Sequence, residues 1–208
     1  MDWNEYTRMF VGIFAIVSPL GAVPLYLSFT ENIKSRRDQV ARTTALAVSV
    51  IFTVSMLFGQ LILSFFSISV DAFRVAGGIL LMFIAFGMLE ARAGRVRHTP
   101  EEDEEAIDSA SVAVVPLAMP LLAGPGAIST IILFGNQSQG FTNKAALFII
   151  CQLVAIAIWA VLHFAPQIGD RMSKTAMNVT TRVMGLILAA MSVEFIVGGL
   201  RNLLPGLA

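Results

Sequence analysis

The chain has 208 residues, of which 56% are apolar and only 13% are charged, against roughly 25% charged in an ordinary soluble domain, so a water-soluble globular fold is excluded. Fourteen Lys and Arg balance fourteen Asp and Glu, which leaves no net basic charge to hold nucleic acid. The single cysteine, Cys151, excludes an internal disulfide framework and a multi-cysteine metal site.

A bilayer is the solvent that suits this composition, and a helix needs about 20 apolar residues to cross its roughly 30 Å of hydrocarbon. Six stretches are predicted to do so: Met9–Thr30, Thr43–Phe66, Val75–Leu89, Val112–Phe134, Ala145–Ala165 and Val183–Leu200. The third reaches only about 22 Å at a rise of 1.5 Å per residue, so Asp71, Arg74 and Glu90 belong at its interfaces. The sixth contains one charge, Glu194. The N-terminus, Met-Asp-Trp-Asn-Glu-Tyr, has no basic leader, and the first span is expected to be retained.

The expected organisation is a single membrane domain over 1–208, with a first three-helix unit at 8–90, a charged cytoplasmic loop at 91–110 and a second three-helix unit at 111–203. The run Glu101-Glu102-Asp103-Glu104-Glu105 reads as a solvated linker. Ten Lys and Arg fall in the loops on one side (Lys34, Arg36, Arg37, Arg42, Arg92, Arg95, Arg97, Arg171, Lys174, Arg182) and four on the other (Arg8, Arg74, Lys144, Arg201). The positive-inside rule then puts both termini on the non-cytoplasmic side.

The two halves resemble each other. Pro19-Leu20-Gly21-Ala22-Val23-Pro24 aligns with Pro120-Leu121-Leu122-Ala123-Gly124-Pro125, and Arg74-Val75-Ala76-Gly77-Gly78-Ile79-Leu80 with Arg182-Val183-Met184-Gly185-Leu186-Ile187-Leu188. Three spans per half is an odd number, so the second half must enter the membrane from the opposite side. The fold expected is therefore an all-α polytopic membrane protein of six transmembrane helices arranged as a 3+3 inverted repeat.

Proline lacks an N–H, and its ring crowds the carbonyl four residues back. Helices 1 and 4 are thus expected to be discontinuous at their Pro-x4-Pro motifs, close to the bilayer midplane, where unpaired backbone groups need a polar partner. Half-helices starting at Pro24 and Pro125 would aim the amides of Leu25, Tyr26, Gly126 and Ala127 into the breaks, which suits a carboxylate. The carbonyls ending the preceding half-helices suit an ammonium group, and a small zwitterion satisfies both. Candidate substrate-binding residues are Ser18, Pro19, Gly21, Ala22, Pro24, Leu25, Pro120, Ala123, Gly124, Pro125, Gly126, Ala127, Ser129 and Thr130.

Ser18-Pro19-Leu20-Gly21-Ala22-Val23-Pro24, the stretch from Val115 to Ile128, and Arg182-Val183-Met184-Gly185-Leu186 resemble the MarC family of bacterial and archaeal inner-membrane proteins, also called the SnatA or neutral amino acid transporter family. The likeness covers nearly the whole chain, including Phe73–Gly78. It implies a six-spanning fold in the inner membrane and movement of small neutral amino acids such as glycine or alanine. Position 18 departs from the family, which often has Asn or Asp there, so a role that needs a stronger polar group is not carried over to Ser18.

Glu194 lies roughly 4 Å from the centre of its span, and an ionised carboxylate is expensive in hydrocarbon. It reads either as a proton-coupling or gating group or as a hydrogen-bonded tie between helices. Arg74 and Arg182, at equivalent repeat positions, read as interfacial anchors or as groups that close a gate. Gln60 and Gln152 are expected to bond across helices. Neither His98 nor His163 has a companion at metal-ligand spacing, and no cofactor or metal is expected.

The expected function is secondary transport by alternating access, driven by a proton or sodium gradient or by the substrate's own, since no Gly-x4-Gly-Lys-Ser/Thr nucleotide motif occurs. An enzyme is not expected, because His-Glu-x-x-His, Gly-x-Ser-x-Gly and paired buried carboxylates are all missing. A non-transporting scaffold or sensor, a channel, and an exporter of another small metabolite stay open, as does a homo-oligomeric state.

Overall fold

The computed structural model describes residues 3–31, 33–89, 113–138, 140–169 and 174–204, and every regular element among them is helical. In chain order these are α1 (Trp3–Val17), α2 (Pro19–Phe29), a single 3-10 turn (Lys34–Arg36), α3 (Arg37–Phe65), α4 (Val70–Leu89), α5 (Ala113–Leu122, wound as a π-helix), α6 (Pro125–Gln137), α7 (Phe141–Gly169) and α8 (Lys174–Leu203). The acidic run at 101–105, the rest of the loop 91–110, and His98 lie outside the described residues.

Five segments are long and apolar enough to cross a membrane: Trp3–Phe29, Lys34–Phe65, Val70–Leu89, Phe141–Gln167 and Asn178–Leu203. The predicted fourth span differs, because its described part is divided into α5, of 10 residues, and α6, of 13. Neither piece reaches the length a continuous crossing needs. Helices α3 and α7 have 29 residues each, about 43 Å at the helical rise. They outrun their charge-free stretches because Arg37, Asp38 and Lys144 sit in their first turns, where charged side chains can reach the interface.

Outward faces carry exposed Leu46, Val50, Leu61, Phe83, Leu186 and Val193, as a lipid-solvated surface requires. Inward faces build one core in which Ile13, Tyr26, Phe52, Leu117, Ile131 and Leu162 are fully buried. The long helix α3 packs on α7, α6 and α5; α7 packs on α2 and α1; α4 packs on α8 and α6; and α8 packs on α2.

The pair α4–α8 is held by glycines that let backbones approach. A Cβ on Gly78 would stand 2.8 Å from the Ser192 carbonyl oxygen, one on Gly185 3.1 Å from that of Ala85, and one on Gly199 2.7 Å from that of Asp71. Polar ties join the remaining helices. Ser49 donates to Gln152 at 2.5 Å and Gln152 to Thr53 at 3.3 Å, while Asn136 donates to Gln60 at 3.1 Å, so both glutamines bond across helices. Thr44 donates to the Ala113 carbonyl at 3.1 Å.

At the start of α3, the Tyr26 hydroxyl donates to the Arg37 carbonyl at 2.8 Å, the Thr30 hydroxyl to the Tyr26 carbonyl at 2.7 Å, and Arg37 Nε to Thr30 Oγ1 at 3.2 Å. Tyr26 is fully buried, so Tyr26→Phe leaves the Arg37 carbonyl without this donor. The variant is expected to lose about 1 kcal/mol, read as a lower thermal midpoint in detergent. Thr7→Val, which removes an exposed bond to the Trp3 carbonyl, is expected to leave the midpoint unchanged.

Candidate functional site

The helix of the first span is interrupted at Ser18, whose φ of 45° and ψ of 65° are left-handed. That region costs a non-glycine residue roughly 1–2 kcal/mol. Pro19 then opens α2 and has no N–H to give to the Ala15 carbonyl. The Gly21 amide, which a continuous helix would give to Val17, is bonded to the Ser18 carbonyl at 2.9 Å.

The half-helix therefore starts at Pro19 and not at Pro24, which lies inside α2 and is buried. Leu25 and Tyr26, whose amides were expected to face the break, belong to the core. The reason is local: a proline at the first helical position gives up no hydrogen bond, and its fixed φ suits the helix. Pro19 takes that position, and α2 continues through Pro24.

The second break lies between α5 and α6. The Ala123 amide reaches five residues back to the Ala118 carbonyl at 2.8 Å. Gly124 is extended (φ −72°, ψ 170°), and Pro125 opens α6, with the Ile128 amide on the Gly124 carbonyl at 3.0 Å. Only glycine fits at 124, because an added Cβ would collide with the Pro120 carbonyl oxygen. Pro125 is seated in turn against Gly77 of α4, where a Cβ would overlap the proline ring.

Neither α2 nor α6 has a side-chain cap. The first amides of a helix have no intrahelical acceptors, so those of Leu20, Gly126 and Ala127 depend on whatever faces the breaks.

The two breaks open on one cavity of about 170 Å³. Ser18, Gly21 and Ala22 line it from the first break, and Gly124, Gly126 and Ala127 from the second. Its far wall is apolar: Leu81 of α4, with Met184, Leu188, Met191 and Phe195 of α8. Ser18 is the only polar side chain among the lining residues. An apolar cavity of about 150 Å³ takes up a molecule the size of benzene, so the space suits a ligand of roughly half a dozen heavy atoms.

Pro19 and Pro125 stand behind the lining as helix starts. Pro24, Leu25, Pro120 and Ala123 are not in the lining. Ser129 and Thr130 also lie off it, since their hydroxyls donate to the Gly126 carbonyl at 3.1 and 2.8 Å. Arg182 and Glu194 are exposed on α8 and do not line the cavity. Arg74 is half-buried and stands with its guanidinium carbon 5.7 Å from the centre of the Phe195 ring.

The α8 wall is the part that sequence reasoning missed. Gly78 and Gly185 carried the available signal, because small residues at those positions bring α4 and α8 together, while Gly77 seats Pro125 at the second break.

Residues 3–204, which include both breaks, match the family described as MarC family integral membrane protein. The chain belongs to the MarC family. It is similar to UPF0056 membrane protein YhcE of Escherichia coli K12, with 38% identity over 99% of this chain and 96% of that protein. It is similar also to UPF0056 membrane protein YvbG of Bacillus subtilis, at 36% identity over 99% and 98% of the two chains. An archaeal relative, UPF0056 membrane protein MJ1677 of Methanocaldococcus jannaschii, is 38% identical over 98% of this chain and all of that protein. No solved structure matches this chain. MarC membership and the apolar helices together make this an integral multi-pass membrane protein.

Proposed function

We propose that this MarC-family protein is a secondary transporter, and not an enzyme, that moves small neutral amino acids of glycine or alanine size across the inner membrane by alternating access. One observation carries the proposal: two proline-opened, uncapped helix starts line a single small cavity between membrane-spanning helices. The amides of Gly126 and Ala127 at the positive end of α6 suit a carboxylate, and the Ser18 hydroxyl, the polar side chain of the lining, can accept from an ammonium group. Apolar walls of limited volume suit a side chain no larger than a methyl group.

Inverted-repeat architecture, on which alternating access rests, has support from the packing. Counting α5 with α6 as one broken span gives six, and α1 to α4 then pair with α5 to α8. Under that exchange the contact α3–α6 becomes α7–α2, α3–α5 becomes α7–α1, α4–α6 becomes α8–α2, and α1–α6 becomes α5–α2; both members of each pair occur. Pro19 then corresponds to Pro125, which shifts the sequence match of Pro19 with Pro120 by five positions, the step from one proline of the motif to the other. Gly78, and not Gly77 as in the sequence match, then corresponds to Gly185, because Gly78 lies against the Ser192 carbonyl and Gly185 against that of Ala85, as a two-fold axis between α4 and α8 requires.

In this arrangement the α3 start, with Lys34, Arg36, Arg37 and Arg42, faces the cytoplasm, both termini face the other side, and a proton or sodium gradient supplies the energy. Purified protein in liposomes is expected to take up labelled glycine or alanine, faster with an imposed gradient of the coupling ion. Binding without flux would instead identify a sensor, and neither binding nor flux would remove the proposal.

A further inference from the structure

Phe195 forms part of the cavity wall, and its ring occupies the space that a Cβ on Gly126 would need. The Arg74 guanidinium stands over the same ring, 5.7 Å from the ring centre. Gly198, one turn further along α8, makes room for that guanidinium, since a Cβ there would stand 3.3 Å from its central carbon. Phe195 therefore adjoins both the cavity and the cation.

Among the described residues no carboxylate lies within ion-pair distance of Arg74. Asp71, one turn earlier on α4, instead accepts a hydrogen bond from Asn202 at 2.9 Å. Glu194 precedes Phe195 on α8 but is exposed. Arg74 is a half-buried guanidinium near the start of α4 with five N–H donors to satisfy, and a ring face offers it no hydrogen-bond acceptor oxygen.

We infer that Arg74 is a carboxylate-recognition group of this site, reached by the substrate when the Phe195 ring swings aside. The inference rests on the proposed transport of zwitterionic amino acids and adds to it a specificity-determining side chain on α4. The planar fork of a guanidinium matches the two oxygens of a carboxylate, which an ammonium cannot do. An interfacial anchor would need only positive charge, so lysine separates the two roles.

The test uses the full chain in detergent, with glycine as the ligand and glycinamide, which lacks the carboxylate, as the control. Arg74→Gln is expected to weaken glycine binding about tenfold or more and Arg74→Lys severalfold, with glycinamide binding unchanged in both. Arg74→Lys carries the test if Arg74→Gln fails to fold. Wild-type glycine affinity in either variant, or equal losses for glycine and glycinamide, would overturn the inference and leave the transport proposal standing. If the unmodified protein binds neither glycine nor alanine, both fall together.

Discussion

Replacing Gly124 by Ala is expected to lower thermal stability and abolish glycine uptake together. Gly124 is the extended residue between α5 and α6, and a Cβ there runs into the Pro120 carbonyl oxygen. That obstacle is backbone and cannot rotate away as the end of a side chain could. The π-wound end of α5 and the start of α6 must move apart, and overpacking of this kind costs about 1–3 kcal/mol. The displacement falls on the Gly126 and Ala127 amides, which start the helix lining the cavity. Gly12→Ala and Gly87→Ala are the matched controls, since a Cβ at either position meets nothing within 4 Å. Both lie inside helices, where Ala is favoured over Gly by roughly 0.5–1 kcal/mol, so both are expected to keep uptake and hold or raise the thermal midpoint. Normal uptake by the Gly124→Ala protein would mean that the second break has no part in transport.

Pro19→Ala is expected to separate function from stability in the opposite sense. Alanine restores the amide that the Ala15 carbonyl lacks and permits a helix to run from α1 into α2. The left-handed Ser18 can then relax, a gain of about 1–2 kcal/mol, with roughly another 1 kcal/mol from the added hydrogen bond. The thermal midpoint should stay level or rise while uptake falls at least tenfold, because closing the break buries the backbone groups proposed to meet the substrate. Pro24→Ala is the informative comparison: Pro24 lies within α2 and off the cavity, so uptake should persist. If Pro24→Ala loses uptake and Pro19→Ala keeps it, the position of the first break is wrong.

The contrast between these two prolines shows what could be read before the structure and what could not. Composition and charge-free length led to helices of membrane-spanning length because burial in lipid leaves few other ways to satisfy a backbone. The same reasoning placed an interruption in each Pro-x4-Pro stretch and started the half-helices at Pro24 and Pro125, where the structure agrees for Pro125 and moves the first start to Pro19. Both prolines of a motif lack the amide, and the choice depends on which of them is backed by a close neighbour. Pro125 is backed by Gly77, which lies 48 residues earlier in the chain, and the left-handed Ser18 ahead of Pro19 has no sequence signature.

Gln60 and Gln152 bond across helices as expected, whereas Ser129, Thr130 and Glu194 do not face the cavity. Ser129 and Thr130 were chosen for their hydroxyls, but a hydroxyl in a helix can satisfy a carbonyl of the preceding turn, and both do so at Gly126. Met184, Leu188, Met191 and Phe195 went unmarked because an apolar residue on a membrane helix looks the same whether it faces lipid or a cavity. Glu194 was prominent by its depth alone, yet it points outward from α8.

The central claim is most directly tested by ligand protection of cysteines placed in the two breaks. Ala22 and Ala127 line the cavity from opposite breaks, and Cys151 is buried and can be replaced by Ser to give a thiol-free background. Ala22→Cys and Ala127→Cys, each alone in that background, are expected to react with a small thiol reagent, and saturating glycine or alanine should slow both reactions while glycinamide slows them less. Labelling of both positions at unchanged rates in the presence of either amino acid would contradict a site formed where the two broken helices meet.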